Sequence, residues 1–223
     1  MAQDIQKYFE AFQQIADLEE TSSDDAIALS RQVAKEARDN GDVGFALFFE
    51  GEAFCLEGDL KQGEKLLAEA VEKAPAADFL FANYGVVLSI LARVRESIAM
   101  LDRALQLNDK NVTALGQKGV CLSKLMMDDL ALQCFDRVLD IEPENTHAIR
   151  NKGVSLSRLR REEEALTYLD KALAINPNDQ HALSEKQILL DEIRLKGTPL
   201  GWLMLWLRKV VTPALKRLFH KGY

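Results

Sequence analysis

The sequence predicts an all-α fold in which antiparallel helix pairs repeat and stack into a solenoid. Three observations carry this expectation. One 34-residue pattern recurs four times without an insertion. Leu, Ala, Glu and Lys dominate while β-branched and aromatic runs are scarce, which favours helix over strand. Five prolines and twelve glycines are too few for the many turns of an all-β chain.

The recurrence is clearest in Gly51, Gly85, Gly119 and Gly153, each 34 residues beyond the last. Taking these as position 8 gives units 44–77, 78–111, 112–145 and 146–179. Other classes repeat in the same phase. Phe54, Leu88, Leu122 and Leu156 form one set, and Gly63, Ser97, Ala131 and Ala165 another. Leu67, Leu101, Phe135 and Leu169 follow, then Ala70, Ala104, Val138 and Ala172, and finally Pro75, Asp109, Pro143 and Pro177.

Each class has a physical role. Leu115, Gly119 and Leu122 fall on one face of a helix, as do Ala131, Phe135, Val138 and Leu139 in the second half of the unit. Each unit is therefore two amphipathic helices. The small residues let the two approach closely. The proline near the end cannot continue a helix and disfavours helix in the residue before it. One such pair cannot bury its own apolar face, so neighbours must stack.

The flanks follow the same logic. In 1–43, Ile5, Tyr8, Phe9, Phe12, Ile15 and Leu18 make one apolar stripe. The capping signal Ser22-Ser23-Asp24-Asp25 starts a second helix that runs to Asn40-Gly41, so this segment reads as a divergent helix pair. Residues 180–197 read as a capping helix with Leu183, Ile188, Leu189 and Ile193 on its apolar side. Thr198-Pro199 opens a separate tail, 198–223.

The repeat resembles the tetratricopeptide family, whose unit carries Trp-x2-Leu-Gly-x2-Tyr, then Ala-x3-Phe, then Pro. The resemblance covers the four units. Leu47, Phe81, Leu115 and Ile149 stand at the Trp position, and Asp109 replaces one proline. It implies a right-handed solenoid and a binding role, with the first helix of each unit lining a concave groove for peptides or helices.

Carried over by phase, the groove positions hold Phe45, Phe48 and Phe49 in the first unit and Phe79, Asn83 and Val86 in the second. They hold Gln117, Val120 and Lys124 in the third, and Arg150, Asn151, Val154 and Arg158 in the fourth, with His147 and His181 near that end. This pattern suits a protein or peptide partner of mixed apolar and acidic character. The phenylalanines either form an open anchor or pack against the N-terminal helix pair. The arginines either fork to a partner carboxylate or pair within the chain. Some relatives hold chaperone C-terminal tails with a Lys and an Asn at positions 5 and 9. Here those positions hold Phe48 and Glu52, then Ala82 and Val86, so that clamp is not expected.

The tail differs in composition. Of 28 basic and 35 acidic residues, five basic and no acidic ones lie in 198–223, leaving 23 against 35 for the rest. Trp202, Leu203, Trp206 and Leu207 are followed by Arg208 and Lys209, with Lys216 and Arg217 further on. The apolar run is far shorter than the roughly 20 residues a spanning helix needs. It reads as a basic amphipathic helix, kinked by Pro213. Three readings stay open: attachment to an anionic membrane surface, docking on the chain or on a second copy to give a homo-oligomer, and capture by another protein.

The net charge of −7 argues against nucleic acid as a partner. Cys55, Cys121 and Cys134 show no metal or redox spacing and read as small buried side chains, and the opening Met1-Ala2-Gln3-Asp4 lacks a signal-peptide start. A cytoplasmic, peripherally attached scaffold is the expectation. His147, His181 and His220 are scattered, and no phosphate loop, nucleophile motif or zinc spacing occurs, so neither enzyme activity nor a cofactor or metal is expected.

Overall fold

A computed structural model describes residues 2–74 and 77–196. Among them every regular element is an α-helix. The chain divides into two compact units, Met1–Ile141 and Glu142–Tyr223. Pro75 and the tail with Trp202, Leu203, Trp206, Leu207, Arg208, Lys209, Lys216 and Arg217 lie outside the described residues.

The first unit contains eight helices: α1 (Ala2–Glu19), α2 (Ser23–Asp39), α3 (Val43–Leu56), α4 (Leu60–Lys73), α5 (Asp78–Ile90), α6 (Val94–Leu107), α7 (Val112–Lys124) and α8 (Asp128–Ile141). From α3 onward they form hairpins, α3 on α4, α5 on α6 and α7 on α8, and each hairpin also packs on the next. The second unit holds α9 (Thr146–Arg158), α10 (Glu162–Ile175) and α11 (Gln180–Lys196), with α10 packed on both of the others.

The repeat glycine exists because of the hairpin contact. A Cβ on Gly119 would lie 2.5 Å from Cε1 of Phe135, whose side chain is fully buried. Leu101 and Leu169 occupy the same place opposite Gly85 and Gly153. Position 8 and the large residue sixteen later are thus two halves of one contact.

Two further classes keep the 34-residue phase. Asn111, Asn145 and Asp179 each precede a first helix, and their Oδ1 atoms accept from the backbone N–H groups of Ala114 (2.8 Å), Ala148 (2.9 Å) and Ala182 (3.0 Å). These caps satisfy donors that the helix leaves without partners. The turn inside each repeat passes through one left-handed residue: Gly58 (φ 88°), Ala92 (φ 60°), Met126 (φ 61°) and Arg160 (φ 63°). Only the first of these is the residue type that adopts such a φ without strain.

Ion pairs join consecutive repeats. Lys118 of α7 meets Asp102 of α6 at 2.6 Å, and Lys186 of α11 meets Asp170 of α10 at 2.5 Å, the same two phases in different units. Cys121 and Cys134 are buried and Cys55 is half-buried. Burial, together with the nearby Glu52 and Asp59 carboxylates, pushes the Cys55 thiol up to about 12, so it is not a nucleophile at neutral pH.

Candidate protein-interaction site

The candidate face is the one presented by the first helices of the repeats. In the first unit these are α3, α5 and α7, in the second α9 and α11. The structure places the expected residues on it unevenly.

Phe45, Phe48, Phe49 and Phe79 are closed off, at most 3% exposed. Tyr8 stacks on Phe45 with centroids 4.3 Å apart, and Phe12 lies 5.6 Å from both Phe48 and Phe79. Aromatic pairs at these distances contribute beyond simple area burial. The reading of these rings as an open anchor is therefore corrected: α1 covers them. Burial of so much apolar surface leaves no reason for the rings to face water.

The polar residues turn toward one another. The Asn83 amide donates to the Glu52 carboxyl, which links α5 to α3. Burial, with Glu19 nearby, raises the Glu52 carboxyl to about 8 against the opposing effect of Asn83, so it is protonated at neutral pH. Lys124 Nζ donates to Ser89 Oγ at 3.0 Å, joining α7 to α5.

In the second unit, Arg150 Nη1 donates to Asp179 Oδ2 at 2.9 Å, with side-chain exposures of 18% and 7%. A second guanidinium nitrogen lies 3.2 Å from His147 Nδ1. Burial pushes the Asp179 carboxyl up, but the Ala182 N–H, Arg150 and the His181 N–H outweigh it and hold it below the usual range. Arg150 is thus part of the fold, joining α9 to the cap of α11. The expectation that it forks to a partner carboxylate is corrected in favour of pairing within the chain. Arg158 is exposed, and Asn151 and Val154 are half-buried.

What remains accessible in the first unit is a strip on α5 and α7. Val86, Gln117 and Val120 are partly exposed, and Lys124 is exposed at the end of α7. The strip carries two valines, an amide between them at Gln117 and a cation at one end.

Comparison with known proteins agrees with this architecture. A family model described as tetratricopeptide repeat matches residues 149–179. The solved structure of YrrB, described as a TPR protein with an unusual peptide-binding site, is similar at 27% identity. The match covers 78% of this chain and 88% of YrrB with a TM-score of 0.61. Residues 149–179 are a tetratricopeptide repeat, and the described residues share the tetratricopeptide fold. PilF of Pseudomonas aeruginosa is similar at 23% identity over 72% of this chain and 71% of its own, with a TM-score of 0.60. MamA is similar at 19% identity over 71% of this chain and 91% of its own, with a TM-score of 0.59. At those identities the likeness speaks for the tetratricopeptide fold. No curated protein sequence matches.

Sequence reasoning missed Asp179 and Glu52. Asp179 had a signal, because it continues the capping series of Asn111 and Asn145. Glu52 had none, since its environment depends on α1. No helix among the described residues is long and apolar enough to cross a membrane.

Proposed function

We propose that this protein of tetratricopeptide fold is an interaction scaffold that holds a partner segment along the face of α5 and α7. Val86 and Val120 contact apolar side chains of the segment, Gln117 offers donor and acceptor to its backbone, and Lys124 meets an acidic group. The observation that carries this reading is the partial exposure of Val86 and Val120 beside Gln117 on a face otherwise flanked by buried residues. The peptide-binding description of YrrB supports it. Catalysis has no part in this reading.

The test is a double substitution, Val86→Asp with Val120→Asp, in the full-length chain. Both side chains are partly solvated, so partner capture should fall at least tenfold while the melting temperature changes little. Equal capture by the variant and the unaltered chain would overturn the proposal.

The basic tail is proposed to hold the scaffold at an anionic membrane surface. Its tryptophans suit the interface and its basic residues the lipid charge. Co-sedimentation with anionic vesicles should therefore fall when the chain stops at Gly197. One observation favours the alternative, docking of the tail on this chain or on a second copy. On α11, the last described helix, Leu183 (41% exposed), Ile188 (38%) and Leu190 (40%) leave apolar surface uncovered. Under that alternative, truncation changes the mass in light scattering and leaves vesicle binding alone.

A further inference from the structure

Helix α1 covers the groove-phase positions of the first unit one after another. Tyr8 contacts Phe45 and Phe49, positions 2 and 6, with centroids 4.3 and 6.0 Å away. Phe12 meets Phe48, position 5, edge-on at 5.6 Å. Phe9 and Phe12 both reach Phe79, position 2 of the next unit, at 5.6 Å. Glu19, the last residue of α1, acts on Glu52, position 9. The order of these contacts means that α1 runs parallel to α3 and reaches beyond it to α5.

Helix α1 is not built like the first helix of a repeat. Counting 34 residues back from Gly51 gives Asp17, which is exposed. The four following first helices carry at that phase a glycine pressed against the second helix. Correspondingly, α1 packs less closely on α2 than α3 does on α4. Its grip is an apolar stripe in which Tyr8 and Ile15 are buried, a hydrogen bond from the Tyr8 hydroxyl to Asp42 Oδ2 at 2.7 Å, and an ion pair from Lys7 to Glu36 of α2 at 3.9 Å.

A helix laid on the candidate face through its side chains, and held to its own hairpin partner more loosely than α3 is to α4, has the anatomy of a ligand. We infer that α1 is a displaceable intramolecular ligand covering one end of the partner-binding face. The pocket beneath it takes, in trans, an amphipathic helix with aromatic rings at i, i+1 and i+4 and a branched apolar residue at i+7. Tyr8, Phe9, Phe12 and Ile15 supply that pattern in cis. The inference rests on the reading that the first-helix face binds partners. It makes the scaffold self-covered at one end, so that an incoming helix competes with α1 and its apparent affinity is the intrinsic one multiplied by the fraction of time the pocket is open.

Two measurements on the full-length chain test this. In amide hydrogen exchange, α1 should exchange at least tenfold faster than α3 and α5, because it opens without the rest. Equal protection of α1 and α3 would overturn the inference. Next, a fluorescent peptide of residues 1–21 is titrated against the unaltered chain and against Phe9→Ala with Phe12→Ala, which loosens α1 and leaves the pocket intact. The peptide should bind the variant at least tenfold more tightly. Equal binding to both, or loss of the whole helical signal in the variant, means that α1 is a structural part of the fold. Failure here is distinguishable from failure of the α5–α7 reading, because Val86 and Val120 are not among the residues α1 is seen to touch.

Discussion

Two glycines three residues apart on α7 should respond in opposite ways to alanine. In a helix interior, Ala is favoured over Gly by about 1 kcal/mol before any packing is considered. At Gly116 that gain is unopposed, since a new Cβ would meet only Val138 Cγ2 at 4.0 Å, an ordinary contact. At Gly119 the Cβ would stand 2.5 Å from Phe135 Cε1 and 2.9 Å from Cδ1 and Cζ. The Phe135 ring is fully buried and cannot retreat without disturbing its neighbours. Overpacking of this kind costs about 1–3 kcal/mol. Gly116→Ala should therefore stabilise by about 0.5–1 kcal/mol, and Gly119→Ala, after the helix-propensity gain is subtracted, should destabilise by up to about 2 kcal/mol. Urea unfolding followed by circular dichroism measures both, read as midpoints at constant m. If Gly119→Ala is as stable as Gly116→Ala, no hairpin contact opposes the new Cβ and the reason given for the 34-residue glycine is refuted.

Other substitutions follow from the same structure. Met126→Gly should stabilise by up to about 1 kcal/mol in thermal melts, because Met126 holds φ 61° and is 72% exposed, so its removal relieves strain and loses little packing. Arg150→Ala should lower stability by about 2 kcal/mol in urea unfolding, since it leaves the Asp179 carboxylate, 7% exposed, without its cation. The native Asp179 carboxyl lies below its usual value, so its contribution is present above about pH 4 and disappears as pH falls through the lower native value. Glu52 has the opposite sign. Its native carboxyl titrates at about 8, so the folded state binds a proton that the unfolded chain releases near 4.5, and stability declines as pH rises between those values. Melting temperatures from pH 5 to 8.5 should fall more steeply for the unaltered chain than for Glu52→Gln, and identical slopes would contradict this origin.

The parts of the fold legible in the sequence are those where one residue class answers one local contact. Gly119 and Phe135 recur in phase because every hairpin needs a small residue beneath a large one. The cap series Asn111, Asn145 and Asp179 was equally periodic but mixes two residue types. The left-handed series Gly58, Ala92, Met126 and Arg160 mixes four, so no compositional signal marks it. The candidate site was harder to read because its state depends on long-range pairing. Phe45 and Phe48 look the same in sequence whether water or α1 covers them, and the helix that covers them stands outside the repeat phase. Arg150 finds its partner in Asp179, 29 residues away at the cap of another helix.

The proposed function requires that the first-helix face, and not the second-helix face, holds the partner. Site-specific photocross-linking in the full-length chain measures this directly. A photoreactive residue is placed in turn at Val86 and Gln117 on α5 and α7, and at Gln106 and Gln133, which are exposed on α6 and α8. The account predicts one shared adduct from Val86 and Gln117 that is absent from Gln106 and Gln133 and is lost on adding excess unlabelled partner. The same adduct arising from α6 and α8, with none from α5 and α7, would contradict it.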